Sequence, residues 1–347
     1  MSLAQAVPNS VPTRIDLDHR LAPNMKPRST VQTISEADSF WFGSFDVGDS
    51  KNLTLLIDTG SSDVIVNPGL YKRGPQSVDT HSTFTNTYGT TESDGSGTGT
   101  VTGTLYNDTV KFGAVIAHQT IGSAQPGADG EVLIPADGIV GFAGLEVSSF
   151  HGAPPFFHSL CDQGQVFPCR FGITLEENGK GNLFLGALDQ SVFKGELRTT
   201  SIIQEWALYA DIALDGKIIK KDALVELDTG TATVIGPVDD VIAIFKAASI
   251  QYVVKTSEDS GTSVTGYFPC DRPPTLGLSI PSQSNVTAAT RLKSRLVSHQ
   301  SSIFNIAPDQ WISADNGNNN CTAILSGTDA FPIPDLWVVG QRKAPSG

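Results

Sequence analysis

Hydrophobic residues occur along this chain in short runs, separated by stretches rich in glycine, serine, threonine and asparagine. The alternating bulky and small residues at 38–48 predict a pair of strands, and residues 53–57 form the next apolar run. Further strand-like runs occupy residues 170–175, 183–186, 206–214 and 217–219. Two short helices are predicted at 153–161 and 238–248, the second from apolar residues at helical spacing. This pattern favours a mostly β fold.

One motif occurs twice, with about half of the chain between its two copies. The largely apolar runs 55–57 and 225–227 end in Asp58 and Asp228, and each aspartate is followed by Thr-Gly and a small residue. A single Asp-Thr-Gly is an ordinary transition from strand to turn, because aspartate and glycine favour turns. Two copies, each followed by another apolar run, indicate two similar lobes that each contribute one carboxylate to a shared site.

Paired carboxylates have a specific chemistry. Two carboxylates held a few ångströms apart cannot both ionise cheaply, so they share a proton over a wide acidic range. The ionised member can take a proton from water while the protonated member hydrogen-bonds a substrate carbonyl. Gly60 and Gly230 allow the backbone to turn close to the carboxylates and present N–H donors to them. Thr59 and Thr229 are placed to hydrogen-bond across the junction between the lobes.

A second element is also repeated, downstream of each Asp-Thr-Gly. It is an apolar-apolar-glycine segment at 135–143 and again at 336–340. With these motifs, the sequence from roughly residue 40 to residue 340 resembles the pepsin-like aspartic proteases. The resemblance implies a bilobal acid protease fold, with two β-barrel-like lobes and a cleft between them, and it makes Asp58 and Asp228 the catalytic pair. The residues expected to hold that pair by hydrogen bonds are Thr59, Gly60, Ser61, Thr229, Gly230 and Thr231.

Two strand-like segments around a Gly/Ser/Thr-rich tip at 90–104 predict a long β-hairpin. In the resembled family such a hairpin is the flap that closes over substrate, and Tyr88, Gly89 and Thr90 take its Tyr-Gly positions. The alternative is a hairpin tyrosine without a role. The tip is longer than a usual flap. Ile65 stands where the family often has a tryptophan that anchors the flap tyrosine, so the resting position of the flap stays open.

The resemblance also divides the chain. Residues 1–35 are expected to be an N-terminal extension or propeptide remnant with a first strand, 36–194 the N-terminal lobe and 195–347 the C-terminal lobe. The N-terminal lobe continues well past Gly141, whereas residues 341–347 follow Gly340 and do not match the family's continuation. We therefore expect a truncated C-terminal lobe that lacks its last strands and places Asp228 less well than Asp58.

The four cysteines allow three disulfide pairings. The local choice, Cys161 with Cys169 and Cys270 with Cys321, keeps each bridge inside one lobe, and Cys270–Cys321 resembles a bridge of the family's C-terminal lobe. A metal site is not expected, because the spacings lack Cys-x-x-Cys and no histidine stands nearby. The structural disulfide interpretation is preferred.

Cysteines and glycosylation sequons favour a secreted or vacuolar glycoprotein. The four sequons begin at Asn52, Asn107, Asn285 and Asn320. The first residues lack the positive start and the apolar core of a signal peptide, so a signal is expected upstream of Met1.

Composition excludes several function classes. The 347 residues carry a net charge of −13 with no basic run, which argues against a nucleic-acid partner. No apolar run approaches the roughly 20 residues of a membrane helix. Gly-x-Ser-x-Gly, phosphate-loop and zinc motifs are absent from the sequence. We expect a monomeric aspartic endopeptidase that acts on peptides or proteins at acid pH without a cofactor. The alternative is a weak or inactive homologue that serves as a peptide- or protein-binding module.

Overall fold

The computed structural model describes residues 28–37, 40–89, 98–127, 134–176, 178–187, 189–193, 199–203, 206–257, 261–281, 302–331, 333 and 335–340. Two ten-stranded sheets contain the strands of these residues, one from residues 30–185 and one from residues 207–339. The predicted mostly β fold with two lobes is therefore confirmed. Among the described residues, no helix has the length and apolar character needed to cross a membrane.

The first sheet belongs to the N-terminal lobe, and one helix, α1 (Phe156–Asp162), packs on it. Its strands are β1 (Thr30–Ala37), β2 (Phe40–Val47), β3 (Ser50–Asp58), β4 (Val64–Val66), β5 (Val78–Gly89), β6 (Thr98–Phe112), β7 (Val115–Ala124), β8 (Gly138–Gly141), β9 (Phe171–Leu175) and β10 (Lys180–Leu185). They are arranged in the order β5-β6-β7-β4-β8-β3-β2-β1-β10-β9.

The second sheet belongs to the C-terminal lobe and packs against α2 (Val238–Ala247). Its strands are β11 (Ala207–Leu214), β12 (Lys217–Leu227), β13 (Val234–Gly236), β14 (Gln251–Ser257), β15 (Gly261–Phe268), β16 (Leu276–Ile280), β17 (Ser302–Asn305), β18 (Ile312–Asp315), β19 (Cys321–Thr328) and β20 (Leu336–Val339). The order is β14-β15-β19-β13-β20-β12-β11-β16-β17, with β18 paired to β19.

The two sheets repeat one arrangement of strands around the aspartates. In the first sheet β8 lies parallel to β3 and antiparallel to β4, and β4 lies parallel to β7. In the second sheet β20 has the same relation to β12 and β13, and β13 lies parallel to β19. Each aspartate therefore lies at the C-terminal end of a central strand that has a neighbouring strand on both sides.

The run before Asp58 is apolar at every position because both of its faces are covered. Leu55 and Ile57 point into one core and Leu56 into a second. All three side chains are at most 3% exposed. A strand buried on both faces carries continuous rather than alternating apolar residues.

Strand β1 begins at Thr30 and pairs with β10, with Thr30 opposite Leu185. Residues 30–35, which we assigned to the N-terminal extension, thus lie in the first sheet, while residues 1–27 lie outside the described residues. The sequence signal was weak because only Ile34 of this strand is fully buried. Its partner strand also lies far away along the chain.

Both predicted disulfides are present, Cys161–Cys169 at the end of α1 and Cys270–Cys321 between the loop after β15 and strand β19. The local pairing is therefore confirmed. Asp315 lies close to Cys270 and Cys321. These two sulfur atoms are bonded to each other, so the group does not offer thiolates to a metal.

The two lobes differ in how well the apolar face of the sheet next to each aspartate is buried. Ile57 and Val140 are paired neighbours in the N-terminal lobe, and both are fully buried in a core that includes α1. Leu227 and Val339 hold the same relation in the C-terminal lobe, where Leu227 is 40% exposed. An apolar pocket opens on that face, lined by Ile212, Val234, Leu276, Leu278, Phe304, Ile306, Trp337 and Val339.

The expectation that the lobe lacks its last strands concerns residues 341–347, which lie outside the described residues.

Candidate active site

Asp58 and Asp228 accept equivalent hydrogen bonds within their own loops. The Gly60 N–H donates to Asp58 Oδ1 at 2.8 Å, and the Ser61 hydroxyl donates to Asp58 Oδ2. The Gly230 N–H donates to Asp228 Oδ1 at 2.6 Å, and the Thr231 hydroxyl donates to Asp228 Oδ2 at 2.6 Å. We expected Asp228 to be placed less well than Asp58, but the structure holds the two carboxylates by matching bonds.

Thr59 and Thr229 join the two loops across the lobe junction. The Thr59 hydroxyl donates to the Leu227 carbonyl at 2.8 Å, and the Thr229 hydroxyl donates to the Ile57 carbonyl at 2.7 Å. Each hydroxyl also accepts the backbone N–H of the other threonine, at 2.9 and 3.1 Å. These four reciprocal bonds fix the loops relative to each other, and thus fix the separation of the aspartates.

The glycines of the two motifs leave room for the carboxylate of the opposite lobe. A Cβ atom at Gly60 would lie 2.6 Å from Cγ of Asp228, and one at Gly230 would lie 2.2 Å from Oδ1 of Asp58. Contacts of this length with a side-chain carbon do not occur in folded proteins. The close approach of the two lobes therefore requires glycine at both positions.

Burial and the neighbouring Asp228 raise the pKa of Asp58 well above its ordinary value. Burial is the largest cause, followed by the charge of Asp228 and a hydrogen bond between the two side chains. The bonds from Ser61 and Gly60 act in the opposite direction, because they stabilise the ionised form. A carboxyl group with a raised pKa retains its proton in acid, so the pair can hold one proton between two acidic groups.

Tyr88 lies in the β5–β6 hairpin, opposite Gly99. Its half-buried ring packs against the apolar cluster that contains Ile65. Burial, followed by the charges of Asp58 and Asp63, raises the pKa of the Tyr88 hydroxyl well above its ordinary value. The hydroxyl thus lies in the electrostatic neighbourhood of the candidate dyad.

Gly89, the next residue of the hairpin, approaches the other lobe. A Cβ atom at Gly89 would lie 4.0 Å from the ring of Phe331 in the C-terminal lobe. The hairpin therefore reaches the C-terminal lobe. Thr90, which we also assigned to the flap, lies outside the described residues.

Sequence reasoning missed the contact partner of Tyr88. The Asn86 side chain donates from Nδ2 to the Tyr88 hydroxyl oxygen at 3.2 Å. Ile65 is fully buried and apolar, so it offers the phenol no hydrogen bond. The spacing of two residues on a strand, which places both side chains on one face, could have identified Asn86.

Asp63 is a second residue that sequence reasoning missed. Its carboxylate is 2% exposed and accepts bonds from the Ser148 hydroxyl at 2.6 Å and from the Ser149 N–H and hydroxyl at 2.8 and 2.6 Å. Ser62 also donates to the Gly144 carbonyl. These bonds attach the segment after β8 to the loop that carries Asp58.

Comparison with known proteins decides the family. A family model described as eukaryotic aspartyl protease matches residues 40–342. The chain belongs to this family. Secreted aspartyl protease 1 of Malassezia globosa is 28% identical over 308 residues, which cover 87% of this chain and 68% of that relative. Pepsin A of Bos taurus is 29% identical over 326 residues, covering 88% and 79% respectively.

A solved structure supports the fold. The aspartic proteinase from Irpex lacteus superimposes with a TM-score of 0.67 at 19% identity, covering 90% of this chain and 91% of its own. Family membership makes this aspartyl protease an aspartic endopeptidase that hydrolyses peptide bonds in peptide or protein substrates.

Proposed function

We propose that this aspartyl protease cleaves peptide bonds with a water molecule activated between Asp58 and Asp228, at acid pH. The observation that carries the proposal is the pair of matching carboxylates, joined by reciprocal threonine bonds across the lobes. The motif glycines leave room for the carboxylate of the opposite lobe, and the two carboxyl side chains interact with each other, so the two groups can act on one water and one carbonyl together.

The reaction then needs one proton on the pair. The ionised carboxylate takes a proton from water, and the water oxygen bonds to the peptide carbonyl carbon while the protonated carboxyl gives its proton to the carbonyl oxygen. The resulting diol collapses when the carboxylate that is now ionised takes a proton from a diol hydroxyl and the C–N bond breaks. The carboxyl group that is now protonated gives its proton to the leaving nitrogen. The pair returns to its singly protonated state.

The raised pKa of Asp58 supports an acid working range. As pH rises above the range in which the pair keeps its proton, the carbonyl loses its acid catalyst and the rate falls. As pH falls until both groups are protonated, the water loses its base. Activity is therefore expected to pass through a maximum in acid.

We propose that Tyr88 and Gly89, with Thr90, form a flap over an extended peptide in the cleft. The inward face of the hairpin carries Tyr88 close to Asp58 and Asp63, as the effect of these charges on its pKa indicates. A substrate under this hairpin would have the phenol on one side and the carboxylates on the other.

We also propose that the enzyme is a secreted or vacuolar monomer. Its two disulfides suit an oxidising compartment, and the Malassezia relative is named as secreted. The sequon residues within the described parts of the chain, Asn52, Asn107 and Asn320, are exposed and accessible to glycosylation.

Digestion of denatured haemoglobin at acid pH tests the proposed mechanism. The wild type should cleave it, whereas Asp58→Asn, Asp228→Asn and added pepstatin should each abolish cleavage. Pepstatin binding by a folded wild type that does not cleave would instead establish a peptide-binding homologue. Cleavage by either asparagine variant at the wild-type rate would refute the roles of the two aspartates.

A further inference from the structure

Asn86 and Tyr88 lie two residues apart on β5, on the face of the hairpin that is turned toward the protein. Phe84, Asn86 and Tyr88 are buried or half-buried, whereas Thr85 and Thr87 between them are exposed. This alternation is that of a strand with one covered face. Asn86 thus places an amide group on an otherwise apolar and aromatic face.

The contact between the two side chains is defined by one distance. Asn86 Nδ2 lies 3.2 Å from the Tyr88 hydroxyl oxygen. Val101, which is opposite Asn86 on β6, is 7% exposed and belongs to the apolar cluster that packs against Tyr88. The amide is therefore held beside the phenol by the register of the hairpin.

The hydrogen bond from Asn86 limits the groups to which the Tyr88 phenol can donate its proton. A phenol has one proton and can accept hydrogen bonds on its oxygen, whereas an amide N–H can only donate. When Asn86 donates to the oxygen, the phenol proton must find another acceptor. Asp58 and Asp63 both act on this hydroxyl, and Asp63 already accepts three bonds from Ser148 and Ser149. The contacts of the described residues include no hydrogen bond from this hydroxyl to either aspartate, so its proton can be given to a substrate group in the cleft beside Asp58.

We propose that Asn86 is a positioning residue for catalysis, which holds Tyr88 over the cleft and directs the phenol proton toward the substrate. This inference rests on the proposed role of Tyr88 in the flap. Asn86 does not touch the reacting atoms, so its effect must pass through the tyrosine. Loss of one neutral hydrogen bond, about 1 kcal/mol, corresponds to about a fivefold fall in kcat/KM.

Kinetics of four variants test the proposal. Asn86→Leu removes the donor with little change in size, and Tyr88→Phe removes the hydroxyl. The double variant tests whether Asn86 acts through Tyr88. The matched control is Thr85→Val, on the outward face of the same strand. We expect Asn86→Leu to lower kcat/KM about fivefold, with no further loss in the Tyr88→Phe background and no effect of Thr85→Val. An equal loss with and without the hydroxyl would overturn the proposal.

Asn86→Asp tests the direction of the proton. An ionised aspartate can only accept, so it would draw the phenol proton away from the cleft. At pH values where this carboxyl is ionised, the variant should lose more activity than Asn86→Leu. Full activity of Asn86→Asp would mean that the amide oxygen, not the nitrogen, faces Tyr88, and the proposed direction would be wrong.

A spectroscopic measurement separates this inference from the proposed function. The six tyrosines of the chain, labelled with ¹³C at Cζ, report on hydrogen bonds at each phenol without turnover, and Tyr88→Phe assigns the resonance of Tyr88. Asn86→Leu should shift that resonance, whereas Thr85→Val should not. If the wild type were inactive, the proposed function would fail while this shift still decided the Asn86–Tyr88 contact. An unchanged Tyr88 resonance would overturn the contact.

Discussion

The threonine bonds across the lobe junction can be tested by removing one hydroxyl. Thr229→Val keeps the shape of the side chain but loses the bond to the Ile57 carbonyl at 2.7 Å and the acceptor for the Thr59 N–H at 3.1 Å. Two hydrogen bonds are worth about 1 kcal/mol each, and leaving their buried partners unpaired costs about 1–3 kcal/mol per group. We therefore expect the free energy of unfolding to fall by about 2–5 kcal/mol.

The activity of Thr229→Val should fall as well, because the same bonds hold the aspartates at their separation. A shift of about 1 Å in a catalytic group can cost about a hundredfold in rate. Denaturant unfolding and initial rates of haemoglobin cleavage at acid pH measure the two effects. Thr229→Ser, which retains the hydroxyl, is the matched control.

The equivalent bonds of Thr59 and Thr229 allow a second test of this prediction. Thr59 donates to Leu227 and accepts from Thr229, so Thr59→Val removes two equivalent bonds. The two valine variants should therefore lose similar stability and activity. Wild-type stability and rate in Thr229→Val, or losses in Thr229→Ser as large as those in the valine variant, would refute the reasoning.

Two more predictions follow from the contact between the lobes. Gly230→Ala should lower the cleavage rate at least about a hundredfold, because its Cβ would lie 2.2 Å from Asp58 Oδ1. A near-normal rate in a folded variant would show that Asp58 does not lie so close to the Gly230 loop. Asp58→Asn should increase the free energy of unfolding at neutral pH. Folding raises the pKa of Asp58, so the native state binds this proton more tightly than the unfolded state does. Proton binding at Asp58 therefore stabilises the native state at low pH, and this contribution is lost as pH rises through the raised pKa. Denaturant titrations at acid and neutral pH should show that this gain disappears in acid, and a gain independent of pH would contradict the assignment.

The sequence was most informative where a local pattern and an internal repeat agreed. The Asp-Thr-Gly motifs identified both aspartates, and the repeated apolar-glycine segments correspond to β8 and β20 beside them. The duplicated motif also indicated two similar lobes, and the strand-like segments around a polar tip indicated the hairpin, whereas the role of that hairpin as a flap came from the family resemblance alone. The structure supplies a physical reason for the motif glycines that sequence reasoning did not reach, because each faces the carboxylate of the other lobe.

Other features depend on contacts that a local pattern does not contain. Strand β1 is mostly polar or half-exposed, and it is fixed by pairing with β10, so its start at Thr30 was not predicted. Helix α1 begins at Phe156, after Pro155, whereas we predicted a start at 153. Asn86 was overlooked because an isolated asparagine in a polar hairpin becomes distinctive only when its spacing of two residues from Tyr88 is considered.

The two lobes differ in how deeply the residue before each aspartate is buried. Leu227, which directly precedes Asp228, is 40% exposed, and Phe304 at the edge of the adjoining pocket is 51% exposed. The equivalent Ile57 is completely buried. The hydrogen bonds of the two aspartates are nevertheless alike, so the position of Asp228 depends on its loop and on the threonine bonds more than on the packing behind its strand.

The proposed role of Asp58 and Asp228 is to work as one unit that shares a proton. Its most direct test is the dependence of kcat/KM on pH for cleavage of a peptide by the wild-type enzyme. We expect a bell-shaped profile with both limbs on the acid side of neutrality, the acidic limb from protonation of the base and the other from loss of the shared proton. A rate that keeps rising through neutral pH would contradict the shared proton, because it would point to a base whose activity requires no protonated partner.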